Sequence, residues 1–109
     1  MGKRKTALSG QLSDLDLRLL RIFKSVVEAG GITAAEAELN LANSTLTSYI
    51  ASLENRLDMR LCERGRAGFS LTNHGQEVYA ATNELLNAIG HFKQQINTSH
   101  DKILGDLHL

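Results

Sequence analysis

The stretch LANSTLTSYIASLENRL, residues 41–57, decides the fold. Leu46, Ile50, Leu53 and Leu57 recur at helical spacing and build one apolar stripe, so the segment predicts an amphipathic helix over about 43–57. The opposite side carries Ser44, Ser48, Ala51 and Asn55, flanked by Thr45, Thr47 and Ser52. That side is neutral and rich in hydrogen-bonding groups, with no positive charge before Arg56. Two explanations of it stand side by side. It is solvated surface, or it is a face that meets another molecule through hydrogen bonds.

The neighbouring segments favour contact. ITAAEAELN, residues 32–40, predicts a short helix over 34–39. Thr33 and Glu36 are placed as its capping box, and Asn40 tolerates a left-handed exit. Only a few residues separate it from the helix at 43, which is the helix-turn-helix arrangement. Upstream, SDLDLRLLRIFKSVVEAGG predicts a helix over 14–29. Ser13 and Asp16 cap it, Leu17, Leu20, Phe23, Val26 and Val27 form its apolar face, and Gly30 ends it. Downstream, LCERGRAGFSLT predicts a hairpin with its tip near 64–68, which is a wing on the helix-turn-helix. Thr72 then caps a long helix from about Asn73.

In that last helix Val78, Leu85 and Phe92 are spaced by seven, and Leu85, Ile89, Phe92 and Ile96 continue the seam. Its first turns are expected to pack on their own domain. Beyond Leu85 the seam is expected to meet a second chain. The fold class is therefore mainly α: a winged helix-turn-helix of three helices and a small β-hairpin, followed by a long dimerisation helix. The division is a basic arm over 1–12 carrying Lys3, Arg4 and Lys5, the winged domain over 13–72, the linker helix over 73–97, and a linker with the start of a strand over 98–109. Leu107 and Leu109 alternate with His108 in that last stretch, so the chain is read as a fragment cut where a further domain starts.

Bulk properties narrow the function. The 109 residues suit one compact domain. The 12 basic and 12 acidic residues cancel, so any nucleic-acid affinity must come from how charge is distributed. One cysteine permits no internal disulfide, the start lacks an apolar signal core, and no run is long enough to span a membrane, so a cytoplasmic protein is expected. Cys62 reads as a small core thiol, and His74, His91, His100 and His108 lack metal-ligand spacing. With no nucleophile–base pair and no phosphate-cradling glycine loop, neither an enzyme nor a cofactor is expected.

The order of these motifs resembles the N-terminal DNA-binding domain of LysR-type transcriptional regulators over about 15–97. LRLLRIFKSVVEAGGIT is similar to that family's first helix and turn. AAEAELNLANSTLTSYIASLENRLDMRLCER is similar to its helix-turn-helix and the joint to the wing. LTNHG, with Thr72 and Gly75, is similar to its entry into the linker helix, and GDLHL to the first strand of its effector domain. The resemblance implies a sequence-specific regulator that binds double-stranded DNA as a homodimer, tetrameric at full length, with a small-molecule inducer held by the absent effector domain. It implies that Thr33, Asn43, Ser44, Thr47 and Ser48 face DNA and that Arg64 contacts the backbone. Thr45 on the polar side of the same helix and Arg66 on the wing are added from their places in the sequence, the wing arginines being expected to reach phosphate or the adjacent minor groove.

Five positions depart from the pattern. Ala42 stands where the family usually has a capping Ser, so Asn43 or Ser44 is expected to cap instead, starting the helix one position later. Ser44 stands where Pro is frequent, and Ser48 where Arg is usual. Ala34 occupies a commonly basic site and Glu36 a usual Ala. The loss of positive charge keeps an alternative in view: a helical protein-interaction or dimerisation module whose DNA binding is weak or lost.

Overall fold

The computed structural model describes residues 11–65 and 68–107. The elements run α1 (Asp14–Ala29), α2 (Ile32–Leu39), α3 (Asn43–Leu57), β1 (Cys62–Gly65), β2 (Gly68–Leu71) and α4 (Asn73–Leu107). The basic arm up to residue 10, Arg66 at the wing tip and Leu109 lie outside the described residues.

The start of α1 is closed by its own sequence. Ser13 Oγ accepts from the Asp16 amide at 3.1 Å, and Asp16 Oδ2 accepts from the Ser13 amide at 2.9 Å. Two amides that helix geometry leaves orphaned are thereby satisfied. Asp16 is only 6% exposed, yet Arg56 of α3 reaches its other oxygen at 2.8 Å. The Ser13 backbone bond, the Ser13 hydroxyl and the Arg56 charge together outweigh desolvation and hold the Asp16 carboxyl below its ordinary value. Gly30 ends the helix in the left-handed region, with φ 97.

α1 is the central helix of the head. Leu19, Leu20, Ile22, Phe23 and Val26 are its buried apolar residues, with Leu17 and Val27 half-buried at the margins. The buried stripe is wider than the sequence suggests, because α2 and α3 cover one side of α1 and α4 another. From α3, Leu46, Ile50, Leu53 and Leu57 all enter this core, as the spacing requires. Each such side chain contributes about 1.5–3 kcal/mol by leaving water.

Two helix starts differ from expectation. α2 begins at Ile32, and no capping box forms. Gly31 is the N-cap, with φ 145, and its carbonyl accepts from the Ala35 amide at 3.1 Å. Glycine tolerates that conformation, and it puts Thr33 inside the first turn with its side chain exposed. At α3 the N-cap is Ala42, whose carbonyl accepts from the Leu46 amide at 3.0 Å. Neither Asn43 nor Ser44 caps. The Asn43 amide is engaged sideways, by Glu36 and Thr47.

The wing is a two-stranded antiparallel hairpin in which Cys62 faces Leu71 and Gly65 faces Gly68. Its base is tied twice. Glu54 Oε2 accepts from the Leu61 amide at 2.8 Å, and Leu61 O accepts from the Thr72 amide at 3.0 Å. Thr72 Oγ1 accepts from the Gly75 amide at 2.9 Å, capping α4 as expected. α4 then continues to Leu107. The linker and incipient strand expected over 98–109 are helical through Leu107. A helix closes its bonds within one segment, whereas the alternation at the chain's end has no partner strand among the described residues.

Candidate nucleic-acid interface

The neutral side of α3 faces outward. Ser44 and Ser48 are exposed, and Asn43, Thr45 and Thr47 are half-buried along its edges. This follows from the period of 3.6: with Leu46, Ile50, Leu53 and Leu57 locked in the core, residues half a turn away must point to solvent. Small hydroxyls fill this face, so a flat partner can come close to the helix.

The wing brings a cation to the same surface. Arg64 of β1 is exposed, and its Nη2 lies 3.5 Å from Thr47 Oγ1. Phe69 of β2 holds the wing in that position by packing against the α1–α2 joint. A Cβ added at Gly31 would stand 3.1 Å from Phe69 Cβ. Between wing and α2 lies an open cleft of about 510 Å³ whose lining includes Thr33, Ala34, Arg64 and Phe69. The start of α2 borders this cleft, and no side chain caps its amides. The start of α3 is equally uncapped. Helix starts of this kind attract anions through free N–H groups and the helix dipole.

Of the residues singled out from the sequence, Thr33, Asn43, Ser44, Thr45, Thr47, Ser48 and Arg64 thus lie on α2, α3 and β1 around one surface. Three further residues have contacts that the chain pattern did not disclose. Glu36 binds Asn43 at 3.0 Å. Glu54 fixes the joint between α3 and the wing. Tyr49 flanks α3 beneath Arg18, whose guanidinium lies 5.5 Å from the ring centroid and donates to the phenol oxygen at 3.3 Å. Arg18 thus reaches from the exposed side of α1 to α3. The sequence marks Glu36 by its charge, and the Tyr49 ring among small polar residues is a further signal. Cys62 is buried, and burial first, then the Glu54 charge, pushes its thiol up, as suits an inert core residue.

The pattern described as "Bacterial regulatory helix-turn-helix protein, lysR family" matches residues 17–76. The chain belongs to this lysR family. Among its relatives, the HTH-type transcriptional activator BauR of Pseudomonas aeruginosa is 49% identical over 109 residues, covering 100% of this chain and 36% of that protein. The HTH-type transcriptional regulator CzcR of Bacillus subtilis is 36% identical over 80 residues, covering 73% and 28%. The chain therefore spans only about a third of the curated relatives it matches. Solved structures agree. The CbnR DBD–DNA complex superposes with a TM-score of 0.70 at 28% identity, covering 76% of this chain and 95% of that one. The BenM DBD with catB site 1 DNA gives 0.70 at 32%, covering 75% and 91%. The four helices and the hairpin are thus the winged-helix domain of LysR-type regulators. Among the described residues no helix is long and apolar enough to cross a membrane.

Proposed function

We propose that this lysR-family chain binds double-stranded DNA in the cytoplasm as a sequence-specific transcriptional regulator, with α3 in the major groove. The observation that carries this reading is the outward hydroxyl face of α3 with Arg64 set at its edge. Ser44, Thr47 and Ser48 meet base edges, where hydroxyls donate or accept and threonine methyls touch thymine. Asn43 and Thr45 border that contact. Thr33, Arg64 and Arg66 hold phosphates, with the uncapped starts of α2 and α3 beside them. The neutral helix then supplies specificity, and the wing, with the arm Lys3, Arg4 and Lys5, supplies affinity. The CbnR and BenM domains solved with DNA support this arrangement.

Phe92 and Ile96 are 62% and 51% exposed on α4, and a second copy of the helix covers them in a homodimer. The full-length regulator, with an effector domain that binds a small-molecule inducer, assembles further into a tetramer.

Fluorescence anisotropy at two salt concentrations tests the DNA reading. Binding weakens steeply with salt, because phosphate contacts release counterions. Arg64→Ala lowers affinity similarly on every duplex and reduces the salt slope by about one. Ser48→Ala changes preference at one base pair. A folded, dimeric chain that binds no duplex at low salt refutes the reading and leaves the interaction module in its place.

A further inference from the structure

Four side chains from three elements form one directed run of hydrogen bonds across the outer face of the helix-turn-helix. Arg64 Nη2 of β1 lies 3.5 Å from Thr47 Oγ1. The Thr47 hydroxyl donates to Asn43 Oδ1 at 3.3 Å, and Asn43 Nδ2 donates to Glu36 Oε2 of α2 at 3.0 Å. Opposite charges at the two ends fix its direction. A carboxylate only accepts, so Asn43 must turn its NH₂ toward Glu36 and leave its oxygen for Thr47. A guanidinium only donates, so Thr47 receives from Arg64 and spends its own proton on Asn43. A hydroxyl normally rotates to suit any partner. This one is set, and what remains for an outside molecule is lone pair.

We propose that Glu36 is a positioning residue for base preference: acting through Asn43, it makes Thr47 a hydrogen-bond acceptor toward DNA and so selects an exocyclic amino group, adenine N6 or cytosine N4, at the base pair Thr47 meets. This rests on the DNA reading above, since Thr47 must reach a base edge. Thymine O4 and the guanine N7 and O6 edge are acceptors and would face a lone pair instead of a proton. On DNA, Arg64 turns to phosphate and frees further lone-pair space on Thr47, while Glu36 and Asn43 keep the hydroxyl direction. The Glu36 side chain is half-buried and joins α2 to the first turn of α3 through Asn43.

The test compares selection from randomised duplexes and anisotropy titrations for the 109-residue chain and its variants Glu36→Ala, Glu36→Gln and Thr47→Val, each checked for folding by thermal melting. One position of the site favours A or C about fivefold, the worth of one ordinary hydrogen bond. Glu36→Ala loses that preference, because Asn43 can flip and the Thr47 rotor is released. Glu36→Gln removes the charge but keeps an acceptor for Asn43, and retains most of it. Thr47→Val also loses it, and adding Glu36→Ala to Thr47→Val changes nothing further. In the DNA-free protein, Glu36→Ala moves the side-chain amide resonances of Asn43. Unmoved resonances overturn the proposal whatever happens on DNA. Equal tightening by Glu36→Ala and Glu36→Gln on all duplexes, with preference intact, also overturns it, because Glu36 would then act only by repelling phosphate. An effect of Glu36→Ala that persists in Thr47→Val overturns it too, because Glu36 would then read a base itself. A wild-type chain that binds no duplex refutes the DNA reading and this proposal together. Binding without an A-or-C preference refutes this proposal alone.

Discussion

The two ends of α4 share one pattern and meet opposite surroundings. Near its start, Gly75 is buried against the backbone, Thr82 is 2% exposed, and Val78 and Leu85 lean on the head. Further on, Gly90 has open space around it, and Phe92 and Ile96 carry the same seam into solvent. The spacing of seven is continuous through both. The head, however, is only large enough to cover the first turns. A periodic apolar seam therefore shows that a helix wants cover, while the size of its own domain decides how much of that cover comes from within.

The sharpest way to break this contrast is at the two glycines. A Cβ at Gly75 would stand 1.9 Å from the Leu61 carbonyl oxygen, which is backbone and cannot rotate aside. That carbonyl also accepts the Thr72 amide that ties the wing to α4. Gly75→Ala is therefore expected to cost about 3 kcal/mol, the upper end of overpacking, read as a lower urea midpoint. It also displaces the wing and weakens DNA binding. Next in size is Phe92→Glu. It leaves the melting of the head unchanged but raises the dimer dissociation constant roughly tenfold or more in sedimentation equilibrium, since a charge enters the apolar seam. No loss of dimer would mean the far seam is not the contact. Gly90→Ala, at an open helical position, stabilises by about 1 kcal/mol through helix propensity. A destabilising result there would reveal a tight contact at Gly90 in the assembled protein.

The smallest effect concerns the clasp between α1 and the near end of α4. Glu28 pairs with Lys24 and accepts from Tyr79 Oη at 2.9 Å, and these two partners, Lys24 first, hold its carboxyl below the ordinary value. With a depressed folded pKa, the unfolded chain takes up its proton first as pH falls. The clasp therefore stabilises fully above the carboxylate range and is lost as pH drops through it. Glu28 is largely solvated, so the effect is expected at a few tenths of a kcal/mol. Tyr79→Phe flattens this part of the acid limb in melts at graded pH, and an unchanged limb would remove Tyr79 from the clasp.

Much of the fold was legible before any coordinates. The Ser13 box, the run of α1 to Ala29, the end of α3 at Leu57 and the Thr72 cap all follow from signals contained in a few consecutive residues. The misplacements have physical causes. The start of α2 shifted to Ile32 because Gly31 adopts a backbone conformation that frees Thr33 from capping. The end of α4 moved because a two-residue alternation resembles a strand, and a strand needs a neighbour that the helix does not. Within the candidate site, the outward direction of Ser44 and Ser48 was readable from the period of α3. The Glu36–Asn43 and Thr47–Arg64 contacts were not, because each joins residues of different elements.

By itself the sequence determined which residues of α3 must be buried and which must face out, because a helical repeat allows no other division of four leucine-type side chains from a row of hydroxyls. The tertiary structure alone decided what the outward groups do to one another. Only the packing of α2, α3 and the wing brings a carboxylate, an amide, a hydroxyl and a guanidinium into line, and short-range hydrogen bonds act on distance in space, not on separation along the chain.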